Sequence, residues 1–239
     1  NNRAQDNFDP IMAYNQHFGK SGTNFTDGLD ELIDVDEWLR GFAYSVISGA
    51  GDNVGSGSQH NGMYYVKPDG RVISLPHDMD FQHNAERSIF PNNECKKLTN
   101  TPSNPGNAQR LRIYLGHLHD MISTSWNQSY MSTWSTHLNT LDPASYWSST
   151  LTHMEDRATN VLGQINTSIP PVTFEITTPS PLDVNNSAAT IAGDGWVDVR
   201  EIRIAGNPTP LVVTWTDSNS WEVTVASPPG HGTSHASNA

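Results

Sequence analysis

Residues 51–81 read GDNVGSGSQHNGMYYVKPDGRVISLPHDMDF, and this stretch predicts a β-hairpin. The run Met63–Val66 and the run at residues 71–75 are both rich in residues that favour strands. Between them lies KPDG, residues 67–70, whose Pro-Asp-Gly order is a common turn signal. We therefore expect two antiparallel strands joined by this turn.

Polar side chains flank both outer ends of the predicted hairpin. Asp52 and Asn61 precede its first strand, and Asp78 and Asp80 follow its second strand. Because antiparallel pairing returns the chain to its starting point, we expect the two groups to lie near each other. Carboxylate and amide oxygens suit Mg²⁺, and a carboxylate beside a hydroxyl nucleophile suits phosphoryl transfer. The sequence therefore predicts a phosphoryl-transfer site with a bound magnesium ion.

An ordinary loop is the alternative interpretation of these acids. Asp, Asn and Gly are the usual loop residues, and a single Asp-x-Asp motif often arises by chance. The apolar neighbours Ile73, Leu75 and Met79 favour the metal site. Carboxylates at the end of a buried strand need a cation or strong hydrogen-bond donors to offset their loss of water.

Several motifs, taken in order and spacing, resemble the CotH-like atypical protein kinases, the family of spore coat protein H. The motifs are DVDEWLR at 34–40, GDN at 51–53, HNGMYY at 60–65, DGR at 69–71, LPHDMD at 75–80, RLR at 110–112, GHLHD at 116–120 and YMSTW at 130–134, followed by Arg157. The resemblance covers most of residues 8–170. It implies a mostly helical kinase-like C-terminal lobe with a β-hairpin active site.

The resemblance also implies a role for each acid. Asp52 would be the catalytic residue that orients the accepting hydroxyl, and Asn61, Asp78 and Asp80 would be the metal ligands. The cofactor would be Mg²⁺ or Mn²⁺, ATP would be the co-substrate, and the acceptor would be a Ser or Thr hydroxyl of a protein. The implied function is that of an atypical protein kinase.

Three residues near the acids are possible supporting residues: Gln59, His60 and His77. The two histidines either orient carboxylates or contact phosphate, or they are hydrogen-bonded wall residues. His77 departs from the family pattern, which usually has Trp at this position.

Two parts of a kinase are not evident in the sequence. A glycine-rich cover over the phosphates and a strand lysine that pairs with them are expected, but Lys20, Lys67, Lys96 and Lys97 do not follow a glycine-rich loop near the N-terminus. We therefore interpret the chain as a fragment whose nucleotide-covering lobe lies upstream, and we expect little or no ATP turnover from it alone. The alternatives are an inactive secreted structural or adhesive protein with a kinase-like scaffold, and an Asp-x-Asp nucleotide-sugar transferase.

The composition of the chain argues against several classes of binding partner and site. The chain has 239 residues and a formal net charge of −12, which argues against nucleic-acid binding because that function needs a basic face. No run approaches the ~20 apolar residues of a membrane span. Ten histidines are present without an HExxH pair, so a zinc enzyme is not predicted. The acidic surface and the family resemblance favour a secreted or cell-surface bacterial protein.

The predicted fold class is α+β, in three parts. Residues 1–170 form the kinase-like lobe, in which Asp34 is the expected N-cap of a helix with Trp38 in its core face. Residues 171–226 form a small β-sandwich similar to bacterial Ig-like modules, and residues 227–239 form a disordered tail.

Four local expectations complete the prediction. Residues 82–107 are expected to be a loop that exposes the Cys95 thiol, and Trp134 and Leu141 are expected to pack in the core. Arg157 is expected either to pair with a buried acid or to be a solvated helix charge. His117 is expected to support the core, together with Asp120.

Overall fold

The computed structural model describes residues 7–54, 60–79, 85–91, 94–99, 106–143, 147–180 and 188–226. About half of the described residues are helical and two small antiparallel sheets are present among them, so the predicted α+β class is confirmed. The chain divides into two compact units, Asn1–Ile165 and Asn166–Ala239. Among the described helices, none has the length and apolar character needed to cross a membrane.

Helices and one hairpin precede the second sheet along the chain. The helices are α1 Asp9–Phe18, α2 Thr23–Thr26, α3 Leu29–Leu32, α4 Val35–Ile47, α5 Glu94–Thr99, α6 Asn107–Thr124, α7 Gln128–Leu141 and α8 Trp147–Ser168. The hairpin strands are β1 Met63–Val66 and β2 Val72–Leu75.

Helix α4 is the centre of the first unit. It begins at the predicted N-cap, where the Asp34 side chain accepts a hydrogen bond from the backbone N–H of Glu37 at 3.4 Å. Helix α4 packs against α6, and its inner face buries Trp38 and Phe42. Trp38 is 0% exposed, and its ring contacts Tyr14 and Phe18 of α1 and Tyr64 of β1. The prediction that Trp38 is a core residue is therefore confirmed.

The predicted hairpin is present, with Met63 opposite Leu75 and Val66 opposite Val72. Its turn closes through a hydrogen bond from Gly70 N to Lys67 O at 2.9 Å, and Gly70 adopts a φ of 89°, which glycine accepts without strain. The Trp38 indole donates to Val72 O at 2.7 Å. This bond attaches the turn end of β2 to α4.

The second unit contains a four-stranded antiparallel sheet in the order β3-β4-β6-β5. Its strands are β3 Glu175–Ile176, β4 Ala188–Asp194, β5 Thr214–Trp215 and β6 Ser220–Ala226. The β-prone runs at residues 196–199 and 201–204 form no strand of this sheet. A turn hydrogen bond from Val199 N to Trp196 O at 3.0 Å interrupts the first run, and the second run makes an isolated bridge from Arg203 to Pro210. Residues 227–239, the expected tail, lie outside the described residues.

The expected loop at residues 82–107 contains helix α5, and the prediction of an exposed Cys95 is wrong. Cys95 is 0% exposed, and burial raises the pKa of its thiol to about 12. Cys95 and Leu98 are both buried and lie three residues apart, so they share one face of the helix. The charged neighbours Lys96 and Lys97 obscured this short apolar pattern in the sequence.

Helix α7 does not have the predicted packing. It begins after its N-cap Asn127, whose side chain accepts a hydrogen bond from Tyr130 N at 2.9 Å. Trp134 is 49% exposed and Leu141 is 71% exposed. The apolar periodicity of α7 therefore predicted the helix correctly and its buried face wrongly.

Candidate functional site

Asp52 lies just beyond the C-terminal end of α4. The helix ends at Ile47 with Ser48 as its C-cap, and Gly49 turns the chain with a φ of 72° and a hydrogen bond from its N–H to Val46 O at 3.1 Å. The next residues lead to Asp52, and Asn53 directly after it is 2% exposed. The end of a buried helix thus fixes where Asp52 stands.

Two side-chain contacts bring the ends of the hairpin to the Asp52 segment. Asn61, before β1, donates from Nδ2 to the backbone oxygen of Asp52 at 3.1 Å. Asn53 places its Nδ2 2.9 Å from Sδ of Met79, the residue after Asp78. The structure therefore gathers the three segments that carry Asp52, Asn61 and Asp78, as antiparallel pairing leads one to expect.

Asn61 and Asp78 share an unusual backbone conformation. In the described part of the chain they are the two non-glycine residues with positive φ, and both have a φ of 54°. Asn and Asp tolerate this left-handed region better than other L-residues, but at a conformational cost that glycine does not bear. Such conformations concentrate at functional sites, where the surrounding structure enforces them.

The burial of Asp78 differs from the expectation. Asp78 is exposed, and Leu75 at the end of β2 is 38% exposed, so the prediction that these acids follow a buried strand is wrong for Asp78. Only one face of the two-stranded hairpin packs on the core, because Val72 is buried and the strand end is not. Asp52 is the partly buried acid, and its Oδ1 is buried without a hydrogen-bond partner among the described residues.

A small pocket lies beside these groups. Its lining includes Asn53, Asn61, Pro76 and His77, and its volume is ≈ 10 Å³. This is room for about one water molecule. His60 and His77 are both exposed, while Gln59 and Asp80 lie outside the described residues.

The oxygen atoms present suit a hard cation. The part of the chain that the structure describes has no group of three or more His, Cys, Asp or Glu side chains that could hold a metal ion. The predicted ligands within it are the carboxylate of Asp78 and the amide oxygen of Asn61, and Asp52 is the predicted catalytic carboxylate beside them. Mg²⁺ is commonly bound through one or two carboxylates plus water and substrate phosphates, so this donor set fits Mg²⁺ or Mn²⁺ better than zinc.

Lys67 lies at the opposite end of the hairpin from Asp52. Its ammonium contacts the Asp34 carboxylate at 2.8 Å, and Arg71 reaches the same carboxylate oxygen at 3.1 Å. The hydrogen bond from Lys67 is the main reason that the pKa of Asp34 is lowered. The four residues of β1, at about 3.3 Å each, separate this cluster from Asn61 by about 13 Å. Lys67 therefore joins the turn to α4 and does not face the candidate site.

Sequence reasoning missed two residues that shape the site, Asn53 and Arg87. Asn53 belongs to the GDN motif, which drew attention only to its acid, and its burial beside Met79 could not be seen without the fold. Arg87 contacts the backbone just before Asp52 from a segment far along the chain. No local pattern around Arg87 indicates that contact.

The comparisons with known proteins add no relative, since no protein-family model, no curated protein and no solved structure matches the chain.

Proposed function

We propose that this chain carries the metal-binding and catalytic half of a phosphoryl-transfer site, and that the protein is a CotH-like atypical kinase acting on Ser and Thr hydroxyls of proteins. The proposal takes the helical unit as a kinase-like C-terminal lobe and the second unit as an Ig-like module. It also places the protein outside the bacterial cell or on its surface. The kinase proposal is supported by the family motifs that lie within residues 34–80.

The observation that carries the proposal is the shared left-handed conformation of Asn61 and Asp78. The family resemblance assigns these two residues to the metal independently of their backbone conformation. Asn and Asp enter this region more readily than other L-residues, but that resemblance assigns both to the metal, and such conformations concentrate at functional sites. A pair of oxygen ligands presented to one cation would account for the shared conformation.

Each described residue then has a chemical role. Asn61 and Asp78 would hold Mg²⁺, which neutralises phosphate charge when bound. Asp52 accepts the proton of the acceptor hydroxyl, whose oxygen bonds to the γ-phosphorus of ATP as the bond from that phosphorus to the β,γ-bridging oxygen breaks and ADP leaves.

The test is transfer of labelled γ-phosphate by the full-length natural protein, with Mg²⁺ or Mn²⁺ and with a chelator. Wild type is expected to transfer phosphate only with the cation. Asp52→Ala and Asp78→Ala are expected to lose at least about 100-fold in rate, the usual range for a lost acid–base group. Asp69→Asn is the matched control, because Asp69 pairs with Arg71 in the exposed turn.

Full activity in both alanine variants would sink the site assignment. Consumption of a nucleotide sugar in place of ATP would identify a glycosyl-type transferase. A wild-type protein that uses neither donor would be a structural or adhesive protein with a kinase-like scaffold, and both of these outcomes contradict the kinase proposal.

A further inference from the structure

Arg87 holds the backbone that leads into Asp52. Its Nη1 donates to Ala50 O at 2.6 Å and its Nη2 donates to Gly51 O at 3.1 Å. These carbonyl groups belong to the two residues directly before Asp52. A planar guanidinium that donates from two nitrogens fixes both the position and the orientation of its acceptors.

Arg157 of α8 holds the segment that carries Arg87. The side chain is 0% exposed. It donates to Ala85 O at 3.0 Å and to Arg87 O at 2.5 Å from Nη1, and to Val46 O near the end of α4 at 2.7 Å from Nη2. Gln164, two turns further along α8, also donates to Arg87 O at 3.1 Å. Helix α8 thereby contacts the chain both before Asp52, at Val46, and after Asp78, at residues 85–87.

The expectation that Arg157 is a solvated helix charge is wrong, and its expected pairing with an acid is not seen among the described residues. Its hydrogen-bond acceptors in the described part of the chain are backbone oxygens and the amide oxygen of Asn160, not an acid, and it is not solvated. Burial, with repulsion from Arg87, lowers its pKa to about 10, so it remains charged at neutral pH. An apolar side chain of similar volume would pack α8 without the cost of burying a charge.

We propose that Arg87 and Arg157 are positioning residues that fix the backbone before Asp52 and thereby direct its carboxylate. Arg157 acts through Arg87, and Arg87 acts through the carbonyl groups of Ala50 and Gly51. The purpose of directing Asp52 rests on the proposed function, whereas the holding of the backbone is a property of the fold that is measured separately. A displacement of about 1 Å at a reacting group costs about 100-fold in rate, so such a device has a large effect on catalysis.

The first test is hydrogen exchange of the backbone amides at residues 48–54. Arg87→Ala is expected to accelerate exchange there at least about tenfold, since two hydrogen bonds from a charged donor are lost, without lowering protection in α6. Arg87→Lys gives a smaller acceleration because an ammonium cannot reproduce the planar fork. Arg40→Ala is the matched control, because Arg40 forms an exposed pair with Asp36 at 2.8 Å.

Unchanged exchange at residues 48–54 in Arg87→Ala would overturn the proposal. If Arg87→Ala does not fold, Arg87→Lys decides by the same criterion. In the phosphate-transfer assay, Arg87→Ala is expected to lower kcat about 100-fold with KM for ATP within about threefold, and Arg87→Lys to restore part of kcat. If wild type transfers no phosphate, the proposed function fails, and the exchange result alone then decides whether Arg87 holds the segment.

Discussion

At the scale of single residues, Asn61 allows an experiment to distinguish a proposed metal ligand from a residue that serves only a turn. Its amide donates to Asp52 O at 3.1 Å, and its φ is 54°. Glycine accepts this φ without strain but offers neither the hydrogen bond nor a ligand oxygen. Substitution by glycine therefore relieves the backbone strain and removes the hydrogen bond and the ligand oxygen.

We predict that Asn61→Gly changes the free energy of unfolding by less than about 1 kcal/mol, because relief of backbone strain offsets one lost hydrogen bond. Its Mn²⁺ affinity is expected to fall about tenfold or more. Thermal unfolding and a Mn²⁺ titration measure the two effects. Asn61→Asp, which keeps an oxygen at the position, is the matched variant and retains affinity. A glycine variant that binds Mn²⁺ like wild type would show that Asn61 serves only the turn.

The acids of the site show why sequence could name residues but not their environments. The motifs identified both acids, Asp52 and Asp78. Buried surroundings were expected for Asp78, whereas in the structure Asp78 is exposed and the buried carboxylate oxygen belongs to Asp52. Burial at a strand end depends on which face of a two-stranded sheet the core covers. That is a tertiary property, and no local pattern around residues 72–80 encodes it.

At the scale of elements, Asp34 joins helix α4 to the turn of the hairpin. One carboxylate oxygen caps the helix, and the other contacts Lys67 at 2.8 Å and Arg71 at 3.1 Å. Since the Trp38 indole also donates to Val72 O, two interactions attach the hairpin to α4: the ion pairs of Asp34 and the hydrogen bond of the indole. Of the two, the ion pairs depend on pH.

We predict that Asp34→Asn destabilises the protein at neutral pH, and that its difference from wild type shrinks as the pH falls. The pKa of Asp34 is lowered below its ordinary value of 3.8, mainly by the hydrogen bond from Lys67. A lowered carboxyl pKa stabilises the fold above about pH 4, and this contribution is lost as the pH falls further. Denaturant unfolding of both proteins between about pH 2 and 7 measures it.

Asp34→Ala is the companion variant, because asparagine caps a helix about as well as aspartate and alanine does not. It is expected to lose about 1 kcal/mol more than Asp34→Asn at every pH. A wild-type advantage over Asp34→Asn that stays constant down to about pH 2 would contradict the ion-pair account.

Helices and hairpin were predictable where a complete local signal exists. Asp34 caps a helix with a regular apolar face, and KPDG separates two strand-forming runs. Helix α5 was missed because six residues with two adjacent lysines give too short a pattern. The packing of α7 was missed because periodicity defines a face and not what covers it, as Leu141 at 71% exposure shows.

At the scale of the whole molecule, all described residues of the candidate site lie within the unit Asn1–Ile165. The elements that hold them, α4, the hairpin and α8, are assigned to the same unit except for the last turn of α8. The second unit was predicted from its β-prone runs, but its arrangement as one four-stranded sheet in the described residues was not. Strand order depends on long-range pairing, which a single sequence does not reveal.

We predict that residues 1–168, which include all of α8, unfold cooperatively and bind Mn²⁺ within about threefold of the 239-residue chain. Calorimetry and a Mn²⁺ titration of both proteins check this. A cooperative fold that has lost its Mn²⁺ affinity would show that the second unit contributes to the site.

The central claim is that the ends of the hairpin form a divalent-cation site for phosphoryl transfer. The most direct measurement is a Mn²⁺ titration followed by electron paramagnetic resonance, comparing wild type, Asp78→Asn and the turn control Asp69→Asn. Wild type and Asp69→Asn are expected to bind Mn²⁺ specifically, and Asp78→Asn is expected to bind it at least about tenfold more weakly. Equal affinity in all three proteins, or no binding by wild type, would contradict it.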